Sequence, residues 1–249
     1  MTTTRSPSSP ALGGQLLRAP VSPAPADEVS PALSKVAARM RVLDAALPER
    51  DGVAVFNRVY LTVTEEIARR GSTGWFRTPF LASELAARFA RRYLAAVDAE
   101  TAGLRPPACW RPLFRHRRHP GVHPLQFALA GINAHVGHDL ALAVVDTCHA
   151  LDCEPAALEA DFERVGDVLQ ALEERIREDL MPGPDLLDIA DPMTHLAGSW
   201  SLERARTGAW AAARVLWSLR HLEELAGEFT ERIDEGVGLV GRFLLTPLR

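Results

Sequence analysis

The chain has 249 residues, 47% hydrophobic and 24% charged, with a formal net charge of −4. That length fits one domain with a sizeable core, and the mildly acidic balance excludes neither enzyme nor binding module but gives no reason to expect nucleic acid or an anionic membrane as a partner. Cys109, Cys148 and Cys153 are an odd number without metal-type spacing, which argues against a disulfide framework and for a reducing compartment.

From the N-terminus, Pro7, Pro10, Pro20, Pro23 and Pro25 punctuate a Ser/Thr/Ala-rich stretch. Such a segment buries too little apolar area to offset ordering, so residues 1–30 are expected to be a disordered tail and 31–249 a helical domain. There is no signal-peptide core, and no apolar run of about 20 residues is read as a membrane span, so a cytoplasmic protein is expected. Ser30-Pro31 opens a helix that ends before Pro48. Asp51 caps a second helix, in which Val53, Phe56, Val59/Tyr60 and Val63 recur at helical spacing up to Gly71. A third runs over about 81–101. Residues 104–123, with four prolines, read as a long loop held by Trp110, Leu113 and Phe114. The basic run Arg115-His116-Arg117-Arg118-His119 within it reads first as solvated and second as an anion clamp.

Helices are then expected over 124–150, from Glu154-Pro155 to about Leu180, and from Ser201 to about 226, with a last one following. Pro182, Gly183 and Pro184 introduce a second irregular loop, 185–200, which holds Asp188, Asp191 and His195. No segment alternates with the period of a strand. The fold class is therefore all-α: a single bundle-like domain of about six or seven helices with two long irregular loops.

One helix carries an unusual polar stripe. In LQFALAGINAHVGHDLALAVVDTCHA, residues 125–150, His135, His138, Asp139, Asp146 and His149 fall within one arc of about 100°. Three readings stand. The stripe is a solvated face, although such faces usually carry Lys, Glu and Arg and this one has none. It is a buried network that fixes packing, as Gly131, Gly137 and Ala128 would permit by close helix approach. Or it is a site, since His135 and Asp139 at i, i+4 face the same way and suit a base with its orienting carboxylate, or two ligands of one ion. Asp146 and His149 lie about 16 to 21 Å further along the axis and cannot share that ion. Candidate catalytic residues are His135, Asp139 and His138. Candidate ligands for a divalent metal such as zinc are His135, Asp139 and His195, with Asp188, Asp191 or the pair His221 and Glu224 as further donors.

Two other stripes carry less. Asn57, Tyr60 and Thr64 on the second helix satisfy the core or line a pocket. On the sixth helix, Arg206, Trp210, Trp217 and His221 form a face expected at the surface, opposite an inward face of Val215, Leu219, Leu222 and Ala226. No phosphate loop, nucleophile elbow or dinucleotide fingerprint is present.

The stretches DGVAVFNRVYLTVTEE (51–66) and AGINAHVGHDLALAVVDT (130–147) resemble a family of actinobacterial proteins catalogued only as a domain of unknown function. The resemblance covers most of the chain after the tail and implies an all-helical domain without supplying a reaction. His135 and Asp139 also match the H-x-x-x-D spacing of the zinc-dependent phospholipase C and nuclease group. That group's trinuclear cluster and N-terminal Trp ligand have no counterpart here. The expected function is a small-molecule enzyme with a His/Asp site in a helical pocket, metal-assisted or not, of hydrolase or lyase/cyclase type. The alternative is a non-catalytic helical module that binds a ligand or a protein. The oligomeric state is open.

Overall fold

The structure is a computed structural model that describes residues 29–180 and 201–247, with the backbone alone over 172–180. Among the described residues it is all helical, with no strand. The helices are α1 (Pro31–Ala46), α2 (Gly52–Gly71), α3 (Pro79–Thr101), α4 (Arg111–His116), α5 (Pro124–Ala134), α6 (Leu140–Leu151), α7 (Ala156–Leu180), α8 (Leu202–Ser218) and α9 (Glu223–Leu244). A single π-helical turn, His135–Asp139, joins α5 to α6 without a break.

Local chemistry sets the starts. Ser30 Oγ accepts the Ala32 N–H before Pro31, and Asp51 accepts the Val53 N–H at 3.0 Å. His123 Nδ1 accepts the Leu125 N–H while Gln126 Oε1 accepts the His123 N–H, a capping box that closes the start of α5. Ser30 is itself buried, and its N–H donates to Ser83 Oγ at 2.7 Å, so Val29 and Ser30 pack with the helical domain rather than the tail. The rest of the expected tail and the loop 185–200 lie outside the described residues.

Three expectations change. The loop 104–123 contains α4, because Trp110, Leu113 and Phe114 bury together and Pro112 sits in the first turn where no N–H is needed. The helix expected over 201–226 ends at Ser218 and α9 begins at Glu223; no Gly or Pro marks that break. The inward face of α8 is also different: Arg206, Ala209, Ala213 and Leu216 are buried, while Val215 is 42% and Leu222 53% exposed.

The unit α5–π–α6 runs through the middle. Its first half packs on α2 and α9, its second on α3 and α8. Gly131 allows the close approach to α2, since a Cβ there would stand 2.3 Å from the Phe56 ring. On the other side, Gln126 Nε2 donates to the Leu244 and Thr246 carbonyls, and Asn133 Nδ2 to that of Val237, tying α5 to α9. The continuous helix Pro124–Leu151 has a mean hydropathy of 1.3 over its most apolar window and is long enough to cross a membrane. That corrects the expectation that no such segment exists. Within this fold 78% of the window is buried, as the central helix of a packed core must be.

Candidate functional site

The π turn presents one wide loop of backbone, with the Leu140 N–H donating to the His135 carbonyl. Such turns redirect side chains within an otherwise regular helix. Here His135, His138 and Asp139 converge, all three buried, with Asp139 2% exposed. The His135 Nδ1 to Asp139 Oδ2 distance is 3.0 Å, and the His138 Nδ1 to Asp139 Oδ1 distance is 2.8 Å. Trp110 Nε1, from the residue that precedes α4 at its N-cap, donates to the same Oδ2 at 3.0 Å.

A buried carboxylate would normally hold its proton. Burial does push the Asp139 carboxyl up, but hydrogen bonds from His135 and His138 outweigh it and hold the group below its ordinary 3.8. His135 is lowered too, but by desolvation: burial brings it below its ordinary 6.5, and the hydrogen bond and charge of Asp139 only partly restore it. At neutral pH the pair is a charged carboxylate and a neutral imidazole. Because Asp139 accepts from Nδ1, the neutral ring carries its hydrogen there and keeps a lone pair on Nε2.

That Nε2 is buried and has no hydrogen-bond partner. His135 is one of the residues lining a cavity of about 140 Å³ between α2, α3, α5, α6, α7 and α8. Phe56, Tyr60, Phe89, Tyr93 and Trp110 surround the imidazole. Phe89 stacks on it with ring centroids 3.5 Å apart and planes 4° from parallel. Burial and the Asp139 charge keep the Tyr60 hydroxyl protonated.

A model of the Family of unknown function (DUF5995) matches residues 33–247. The chain belongs to this family. No curated protein and no solved structure matches it.

In this DUF5995 chain the stripe read from the sequence divides. His135, His138 and Asp139 come together and are buried, which overturns the solvated reading for these three. Asp146 is half-exposed and pairs with Arg92 of α3, and His149 is exposed beside Trp217. His195, Asp188 and Asp191 lie outside the described residues. His221, before α9, and Glu224, in its first turn, are exposed, and neither belongs to the buried donor group among the described residues. Asn57 satisfies the core, bonding the Met40 carbonyl and the Tyr93 hydroxyl, whereas Tyr60 and Thr64 line the cavity. In the basic run, Arg117 pairs with the buried Asp51 and is structural.

Sequence reasoning missed two residues at this candidate site. Trp110 read as a packing anchor, and its N–H has no signature in sequence. Asp234 of α9 accepts the Ala108 and Cys109 N–H groups at 2.7 and 2.9 Å and lies 3.9 Å from His138 Nε2. Cys109, His138 and Asp139 offer ligand-type atoms within 4.8 Å of one another. The donor chemistry fits a metal poorly. Burial raises the Cys109 thiol far from its ionised form, and Asp139 Oδ2 already accepts from Trp110 and His135.

Trp110→Phe keeps an aromatic ring but leaves part of a fully buried site empty and removes one hydrogen bond to a charged acceptor. Urea unfolding is expected to show a loss of at least about 1.5–3 kcal/mol. A change under about 0.5 kcal/mol would mean that the indole N–H does not support Asp139.

Proposed function

We propose that this protein is an acid–base enzyme for a small, largely apolar molecule, with His135 as general base and Asp139 as its orienting carboxylate. One observation carries the reading: a buried neutral imidazole, fixed through Nδ1, has no partner for Nε2 and belongs to a residue that lines an apolar cavity. A structural histidine in that position would have both ring nitrogens satisfied. Asp139 fixes the tautomer, and Phe89 fixes the ring plane. His138 and Trp110 hold Asp139 ionised and in place. The reaction class is proton abstraction from a bound substrate, of lyase or isomerase type, with metal assistance unnecessary for the step. Three free thiols fit a reducing, cytoplasmic setting.

The test needs no knowledge of the natural substrate. A base in an apolar pocket removes the C3 proton of 5-nitrobenzisoxazole; the N–O bond breaks, the C=N becomes a nitrile, and the ring oxygen becomes the phenolate of one coloured cyanophenolate product. Turnover by the wild type should fall by about 10²–10⁴-fold in His135→Gln, the usual contribution of a positioned base. Equal rates for the two proteins at matched fold content would remove His135 from the chemistry. The apolar lining by itself also suits a non-catalytic ligand carrier, and that reading gains if ligands bind the cavity while neither protein turns the probe over.

A further inference from the structure

The cavity has a second polar feature that proton abstraction does not use. Arg206 of α8 is on its wall and only 8% exposed. Its Nη2 donates to the Phe162 carbonyl at 2.5 Å, and its guanidinium carbon lies 4.6 Å from the centre of the Phe162 ring. No second acceptor, and no carboxylate within ion-pair distance, is provided for it among the described residues. Glu163, Asp167 and Glu203 act on it only through their fields, and they do not offset its burial. Asp161 shares the cavity wall but is committed to the Arg77 and Thr78 N–H groups at 2.7 and 2.8 Å, where it secures the start of α3.

The position is built rather than incidental. A Cβ at residue 166 would stand 2.0 Å from Arg206 Nη1, so α7 is notched by Gly166 where the guanidinium lies. A buried cation without an anionic partner costs free energy unless something completes it. Only the Nη2 bond to the Phe162 carbonyl is made among the described residues, so the guanidinium keeps further N–H donors for a carboxylate. Apart from His135, Tyr60, Thr64 and Asp161, the rest of the wall is Val, Leu, Ile, Ala and Phe from α2, α3, α5, α6, α7, α8 and the π turn. A cavity of about 140 Å³ matches the size at which an apolar pocket accepts a benzene-sized guest.

We infer that the cavity takes a small apolar carboxylic acid, an aryl or short branched alkyl acid, with its carboxylate on Arg206 and its apolar body directed towards His135. The inference rests on the cavity being the substrate site of the acid–base reading and adds the substrate class. Isothermal titration with benzoate, benzyl alcohol and phenyl phosphate tests it. Wild type should bind the acid at least about 10-fold more tightly than the alcohol, the contribution of one charge-assisted contact. It should also prefer the acid to the phosphate. Arg206→Met should lose the preference for the acid, and Arg206→Lys should recover part of it. Should Arg206→Met fail to fold, the wild-type comparison of acid with alcohol still decides.

Equal binding of acid and alcohol, preference for the phosphate, or no binding of any of the three would overturn the inference. His135→Gln separates the two readings. Acid binding retained in that variant supports the anchor, whether or not the benzisoxazole rate depends on His135. Probe turnover without acid preference keeps the base and discards the anchor.

Discussion

Asp139→Asn is expected to reduce benzisoxazole turnover by about 10²–10⁴-fold and to cost about 1–3 kcal/mol of stability at the same time. The side chain keeps its volume, so packing around the π turn is unchanged. What changes is the polarity of the atoms facing three N–H groups. Asp139 accepts from Trp110 and His135 on Oδ2 and from His138 on Oδ1. An amide offers one acceptor oxygen and one donor NH₂ in their place, so at least one N–H is left facing another. His135 or His138 relieves the clash only by moving its hydrogen to Nε2. For His135 that move places a hydrogen on the unpartnered Nε2 and removes the base. The measurement is the probe rate beside a urea titration of both proteins. A variant that is destabilised but fully active would make the triad of hydrogen bonds purely structural.

The second large effect is a loss of stability on acidification that begins near pH 6.5. In the unfolded chain His135 titrates at about its ordinary 6.5, whereas burial holds it lower in the fold. Between those two values the unfolded state binds a proton that the folded state refuses. His135 therefore contributes stability that is complete above 6.5 and is lost as pH falls through the window below it. One proton sets a slope of up to about 1.4 kcal/mol per pH unit. Asp139 adds to the loss only lower, as pH falls below its ordinary 3.8, because its folded carboxyl is also depressed. Denaturant titrations of wild type and His135→Gln from pH 7.5 to 5 isolate the histidine. The wild type should show the steeper decline, and parallel curves would place the acid sensitivity elsewhere.

Much of this protein follows from its sequence alone. Helical periodicity and the capping residues Ser30, Asp51 and Ser201 are local properties, and a helix start depends on little beyond its own first turn. The spacing of His135 and Asp139 puts them on one side of a helix whatever surrounds it. Gly131 and Gly137, with Ala128, signalled that other side chains would approach this helix closely, and Phe56 and Val237 do so.

Tertiary structure decided the rest, because burial and partnership are relations between segments. Periodicity placed five polar residues on one arc, but only packing divides that arc. α3 supplies Arg92 to Asp146, while α2, α3 and α4 enclose His135 in aromatic rings. The Trp110 N–H reaches Asp139 across 29 positions of chain, a distance over which sequence spacing carries no geometric information. Arg206 read as a surface residue on its own helix, since an arginine beside tryptophans usually covers a surface. It is inside because Gly166 of α7 leaves room for the guanidinium and the Phe162 carbonyl binds it. No pattern within residues 202–218 encodes a notch in a neighbouring helix.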